Sequence, residues 1–272
     1  MFLSIIIPAY NEEKRITSCL RAAFAACRAV AEGGPLSPRG SLTAGPAASG
    51  NSLLACRTEA AVENFRFEVL VVDNNSTDQT AALARGEGAA VVFEPKNQIA
   101  RARNRGAAAA KGEWFIFLDA DSTLSADLLA DTVHAMRSGR VAGGGALVRF
   151  PDGASSVMRF GEKIWAALSR TFRWAAGSYV FCRADLFRET GGFNEGLYIS
   201  EEIDLSRRLK RLARRKGLRF VILARFPLLT SDRKITLYSP WALLRFWLRL
   251  LAAPRKTRRD RKSCDIWYDG KR

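Results

Sequence analysis

Apolar positions along the chain follow two rhythms. Unbroken runs, "LSIII" at 3–7, "EVLVV" within 67–72 and "WFIFL" at 114–118, lead straight into polar loops. Runs of that length, rich in β-branched and aromatic residues, predict strands buried on both faces of a parallel sheet. "AAVVFEP" adds a shorter strand. Between these runs lie helical stretches: residues 14–31, a segment after Ser76, and "QIARARNRGAAAAKG", ended by Gly112. Ser76 and Gln79 have the spacing of a capping box at the second helix start. Strands alternating with helices predict right-handed βαβ units, hence an α/β fold with a mainly parallel central sheet flanked by helices.

Past residue 124 the pattern changes. A helix over 126–137 precedes the glycine-rich strand "VAGGGALVRF", and a longer helix follows over 155–173. A helix starting near Glu201 runs to about Arg215, and "LRFVILARFP" reads as a returning strand. Residues 32–52 are Gly-, Pro-, Ser- and Ala-rich with no apolar period. The strand pattern resumes afterwards, so this is a flexible insertion within one domain, not a linker between two.

In open α/β sheets ligands bind beyond the carboxyl ends of the strands. Tyr10, Asp73 and Asp119 fall there. In Asp119-Ala120-Asp121 the two carboxylates leave a strand end two positions apart, so they point to one side. Two hard oxygen donors suit Mg²⁺ or Mn²⁺ and leave coordination positions for water and phosphate. The same "DADST" also reads as a helix start. Asp73, in "VVDNNSTD", reads both as turn chemistry and as a carboxylate that accepts hydrogen bonds from a nucleoside. Glu201, Glu202 and Asp204 fit a helix N-terminus, where acids complement the dipole. They equally fit an acid pair whose members raise each other's pKa and serve as a base.

Taken together, "SIIIPAYNEE", "VVDNNSTDQT", "ARNRGAAAAKGEWFIFLDADS" and "GGFNEGLYISEEIDLSRRL" resemble, in order, the motifs of glycosyltransferase family 2. The resemblance covers most of residues 2–210. It implies a GT-A (Rossmann-like) fold and inverting, metal-dependent transfer of a sugar from a nucleotide sugar, with Mn²⁺ or Mg²⁺ as cofactor and a UDP- or GDP-sugar as donor. It implies that residues 1–122 form the nucleotide-sugar-binding half of a 1–230 domain and 123–230 the acceptor half. By position, Pro8, Tyr10, Glu12, Asp73, Arg103 and Asp119 would bind the nucleotide. Asp121, with Asp119, would hold the metal. Glu202, beside Glu201, would be the general base. The chain departs from the family at Glu202, where Asp is usual, and at Gln98, where Gly is common. No Q-x-x-R-W motif follows the Glu pair, which argues against a processive polysaccharide synthase.

Composition and charge refine this. Of 272 residues, 48% are hydrophobic, enough for a sizeable core, and the formal net charge is +16. That balance favours anionic partners. Eight basic residues fall within 205–219 and six within 255–262. A basic nucleic-acid-binding protein is the competing class, and nucleotidyl transfer on a related fold is a further reading. No nucleic-acid motif or basic–aromatic ladder is present, so no nucleic acid is expected as partner. The segment 231–272 reads as a basic amphipathic extension: Trp241, Leu244, Leu248 and Leu251 share one helical face, and Arg245, Arg249 and Lys256 another. It would pack on the core or, through residues 237–262, meet an anionic membrane surface. The acceptor stays open: a hydroxyl or a lipid phosphate. Five scattered cysteines without a CxxC predict a reducing compartment. With no signal peptide or spanning segment visible, the expected location is cytoplasmic, with peripheral attachment to the inner face of the membrane as an extension of that reading. The lone His134 reads as a helix-surface or half-buried residue and not as a catalytic one.

Overall fold

The computed structural model describes residues 1–33, 64–231 and 253–264, together with 245, 249 and 268. The insertion expected over 32–52 and the amphipathic helix expected after residue 237 lie almost entirely outside these. The first half runs β1 (Phe2–Ala9), α1 (Ile16–Glu32), β2 (Arg66–Asp73), α2 (Thr80–Gly86), β3 (Ala90–Phe93), α3 (Ile99–Ala109) and β4 (Trp114–Leu118). The second half runs β5 (Ser122–Thr123), α4 (Ala126–Arg137), β6 (Val141–Arg149), α5 (Ser156–Phe172), β7 (Tyr179–Arg183), α6 (Ala184–Glu189), α7 (Glu201–Arg215) and β8 (Arg219–Thr230). A short helix, Pro254–Arg259, and a 3-10 turn, Arg261–Cys264, follow.

All eight strands form one sheet, ordered β3-β2-β1-β4-β7-β6-β8-β5. The first four are parallel to their neighbours, as the apolar runs predict. Beyond them the sheet is mixed: β7 is antiparallel to both β4 and β6, β6 and β8 are parallel, and β5 is antiparallel to β8. Tyr179, the first residue of β7, pairs with Leu118, the last of β4. So α5 leaves and re-enters the sheet at the same edge. It crosses neither face and lies along the carboxyl ends of the parallel strands.

Strand alternation explains why the runs are unbroken. Ile5, Ile7 and Ile116 point to one side of the sheet, where they pack with Leu20 of α1 and Leu128 and Leu129 of α4. Ile6, Phe115 and Phe117 point to the other, onto Phe187 of α6 and Leu205 and Leu209 of α7. Both faces are covered, so both sets of positions are apolar. Each fully buried aliphatic side chain contributes about 1.5–3 kcal/mol. Ser125 caps α4 by accepting from the Leu128 amide.

The capping box at Ser76 and Gln79 does not form. Gln79 takes the N-cap position of α2 without a side-chain bond. The Ser76 hydroxyl instead accepts from the Asn11 amide at 3.0 Å, and Asp78 takes the Thr80 amide at 2.9 Å. A contact between loops has outcompeted the local one.

Candidate active site

The order 3-2-1-4 puts β1 and β4 side by side where the strand order reverses, and the crevice opens there. A cavity of about 370 Å³ lies beyond their carboxyl ends. Pro8, Tyr10 and Glu12 line one wall, Asp119 and Asp121 the floor, and Glu201 and Glu202 the opposite wall. Eight of the nine residues assigned from sequence therefore meet in one cavity, these seven and Arg103.

Asp73 is the exception. It ends β2 opposite Ala9, is buried, and accepts from the Ser76 amide at 3.0 Å. It shapes the loop behind the cavity and is not among the residues that line it. Its neighbour Asn74 does line it. The Asn74 amide group donates to the carbonyls of Glu94 and Lys96 and accepts from the Gln98 amide. One buried side chain thus fixes the loops after β2 and β3.

The loops 10–13 and 74–80 are zipped together. The Thr77 amide donates to Asn11 Oδ1 at 2.8 Å, the Glu12 amide to Thr80 Oγ1 at 2.7 Å, and the Glu13 amide to Asp78. These bonds explain the polar residues of "YNEE" and "NNSTDQT": most hold loops, and only some face the cavity.

Arg103 is the hub. Helix α3 approaches the sheet closely at Gly106, where a Cβ would lie 2.3 Å from Ile6 Cγ2. That approach brings Arg103, one turn earlier, down to the strand ends. Its guanidinium donates to Asp119 Oδ1 at 2.9 Å, to Glu201 Oε1 at 2.7 Å and to the Gly177 carbonyl at 2.7 Å. Its side chain is only 1% exposed. Burial alone would lower its pKa, but Asp119, Glu201 and Glu202 around it raise it, so it stays charged. The flanking arginines differ, as their spacing implies: Arg101 pairs with Glu94 and Glu195 nearer the surface.

The Glu pair is split by this bridge. Glu201 is buried and held by Arg103. Glu202 is half-buried and faces the cavity. Burial pushes both carboxyls up, and Glu202, with Glu201 beside it, rises to about 8. The acids also stand in the first turn of α7, so the dipole and the site share them. Ser200, just before them, has φ of 63°, a left-handed conformation that costs a non-glycine residue about 1–3 kcal/mol. That turn aims the pair inward.

Further residues line the cavity or hold the loops around it, without a sequence signal strong enough to assign them. Gln98 Nε2 donates to the carbonyls of Glu195 and Leu197, tying α3 to the loop that carries the Glu pair. Asn104 bonds Phe193 in both directions, with Gly192 packed against it. Tyr268, from the far end of the chain, lines the cavity and packs with Tyr198, Ile199 and Cys264. Its hydroxyl donates to the Tyr198 carbonyl at 2.9 Å, and the Ile99 amide donates to it at 3.5 Å. Trp165 of α5 lines the cavity too, whereas Trp174 stacks on Phe172 at 4.7 Å.

Asp119 and Asp121 are the residues that could hold a metal. Among the described residues no group of three or more His, Cys, Asp or Glu side chains is placed to do so. Two carboxylates fit a hard cation completed by water and phosphate oxygens, not a closed structural site. Beneath them Cys19 is an inert thiol, its pKa pushed up by burial and by Asp121 and Asp119. The four described cysteines are all buried and form no disulfide, and His134 is exposed on α4.

A family model described as Glycosyl transferase family 2 matches residues 51–188. Glycosyltransferase AglE of Haloferax volcanii is 25% identical over 219 residues, which cover 76% of this chain and 60% of AglE. Among solved structures, the mannosyltransferase PcManGT from Pyrobaculum calidifontis, in complex with GDP-Man and Mn²⁺, superposes with a TM-score of 0.58 at 18% identity, over 94% of this chain and 60% of that one. S. aureus TarS 1–349, in complex with UDP-GlcNAc, gives 0.56 at 19% identity, over 99% and 71%. These likenesses carry the fold, the GT-A arrangement expected from the motifs. The chain spans 60% of the length of AglE.

Proposed function

Because the chain belongs to glycosyl transferase family 2, we propose that it transfers a sugar, non-processively and with inversion, from a nucleotide-diphosphate sugar to an acceptor hydroxyl or lipid phosphate, aided by Mn²⁺ or Mg²⁺. The observation that carries this reading is the Arg103 bridge. One buried cation ties Asp119, at the floor of the cavity, to Glu201, on its opposite wall. It thereby presents Asp121 and Glu202 to the same space.

The nucleoside sits between Tyr10, Pro8 and Asn74, with Asp73 and Glu12 fixing the loops that hold it. Asp121 and the oxygen of Asp119 not given to Arg103 would hold the divalent ion. When bound, it supplies positive charge against the diphosphate. Glu202 takes the acceptor hydroxyl proton as that oxygen bonds to the sugar anomeric carbon. The bond from that carbon to the diphosphate breaks, and its electron pair leaves with the nucleoside diphosphate. A raised pKa makes Glu202 a stronger base once ionised. Glu201, committed to Arg103, positions Glu202 rather than taking a proton. GDP-Man in one structural neighbour and UDP-GlcNAc in another support a nucleotide-sugar donor without choosing the base.

No helix among the described residues is long and apolar enough to cross a membrane. The reading places the protein in the cytoplasm, and the anionic surface expected to meet residues 237–262 remains part of it. Titration calorimetry with UDP and GDP, each with and without Mn²⁺, tests the whole reading on wild type and Asp121→Ala. Metal-dependent binding of one nucleotide, lost in the variant, is expected. No binding under any condition would overturn it.

A further inference from the structure

Helix α5 carries its own apolar stripe on the outside. Phe160 is 65% exposed, Ile164 46%, Leu168 37% and Phe172 47%. They recur every four residues, so they form a band along one helix face. Four large apolar residues in register on a surface are not the scattered exposure normal for a soluble chain. Because α5 lies along the sheet edge, its outer face meets no other layer among the described residues.

The band is flanked by cations. Lys163 and Arg170 lie exposed on the same helix. At its C-terminal end Arg173 joins Arg207, Lys210 and Arg214 of α7. Lys210 donates to the Phe172 carbonyl, and Arg207 lies 5.1 Å over the Trp174 ring that Phe172 stacks on. Burial and the neighbouring Arg207, Arg173 and Arg214 depress the Lys210 pKa, which shows how closely these charges crowd. Neither 163–184 nor 205–231 contains an Asp or Glu. None of Arg173, Arg207, Lys210 and Arg214 forms an ion pair with a described residue. A second copy of the chain would bring like charge to like charge here. A nucleic acid would leave the four apolar side chains uncovered.

We propose that the outer face of α5, with the cation cluster it shares with α7, is a docking surface for a bilayer of anionic phospholipid. Phe160, Ile164, Leu168 and Phe172 enter the boundary between headgroups and acyl chains, and the cations meet the phosphates. The same helix also gives Trp165 to the cavity, so the exposed band and the site share one element. This surface is distinct from residues 237–262, and its binding is read without any nucleotide, so it stands or falls separately from the transferase reading.

The test is flotation of the full chain with vesicles of phosphatidylcholine alone or mixed with phosphatidylglycerol, at low and high salt. Wild type is expected to float with the mixed vesicles, less so at high salt, and to stay behind with phosphatidylcholine. Phe160→Gln with Ile164→Gln removes two exposed apolar side chains that touch neither the core nor the cavity. It is expected to weaken binding at least about tenfold with an unchanged circular dichroism spectrum. Arg170→Gln with Arg214→Gln is expected to weaken binding and flatten its salt dependence. Wild type that never floats, or an apolar double variant that floats as well as wild type, overturns the proposal. So does ultracentrifugation showing a wild-type dimer that the double variant dissolves.

Discussion

Arg103 and Glu201, 98 positions apart, form a buried ion pair at 2.7 Å, and the same guanidinium holds Asp119. Removing one partner of such a pair leaves the other charge stranded. Arg103→Met is therefore expected to lower stability by about 3–5 kcal/mol. Arg103→Lys is expected to fall close behind, because one ammonium cannot serve three acceptors in a planar fork. Adding Glu201→Gln to Arg103→Met is expected to recover part of the loss. Urea unfolding of wild type, Arg103→Met, Glu201→Gln and the double variant closes the cycle, and strict additivity would refute the coupling.

Glu202 is the proposed base, so Glu202→Gln is expected to lower kcat by about 10²–10⁴ while nucleotide affinity holds. The wild-type kcat/KM should rise with pH along a limb near neutrality, well above the ordinary carboxylate range, because burial and Glu201 push the Glu202 carboxyl up to about 8. A limb near the usual carboxylate value would contradict that environment.

The same shift bears on stability. Between the ordinary carboxylate range and about 8, the folded chain keeps a proton at Glu202 that the unfolded chain has released. Protein stability from this group therefore falls as pH rises through that window and stays low above it. Ligand-free Glu202→Gln is expected to melt a few degrees above wild type on the alkaline side and to lose that advantage below about pH 5. Thermal melts across pH check it; equal differences at both ends would not fit.

Gly192 has φ of +71° and a Cβ there would come within 2.7 Å of Asn104 Oδ1, whereas Gly191, at φ +77°, faces open space. Both alanine variants pay backbone strain of about 1–2 kcal/mol. Gly192→Ala also pushes on the Asn104–Phe193 bonds that position the loop ahead of the Glu pair. It should lose clearly more stability than Gly191→Ala, and activity with it. Indistinguishable denaturation midpoints would show that the close approach is slack.

Much of the frame is readable in the chain. The runs at 3–7 and 114–118 and the amphipathic, capped segment 126–137 carry their own periodicity, and the structure follows them. What escaped reading is what distant residues decide. The reversed strand β7 depends on α5 turning back at the sheet edge. Ser76 was claimed by Asn11 rather than by its own helix. Of the acid pair at 201 and 202, the resemblance singled out Glu202, but nothing local in the sequence separates the two; Arg103, from another helix, holds Glu201. Asn74 read as plain turn chemistry, and Gln98 only as a departure from the family pattern.

Tyr268 has a consequence for how the protein comes into being. It meets Ile99 across 169 positions of chain. During synthesis the parallel half of the sheet, whose strands all lie within residues 2–118, can assemble while later residues are still being added. One wall of the cavity must wait for Tyr268 to emerge. The nascent protein therefore passes through a stage that is folded but open at the cavity, and a change that disturbs the segment around Tyr268 would hold it there.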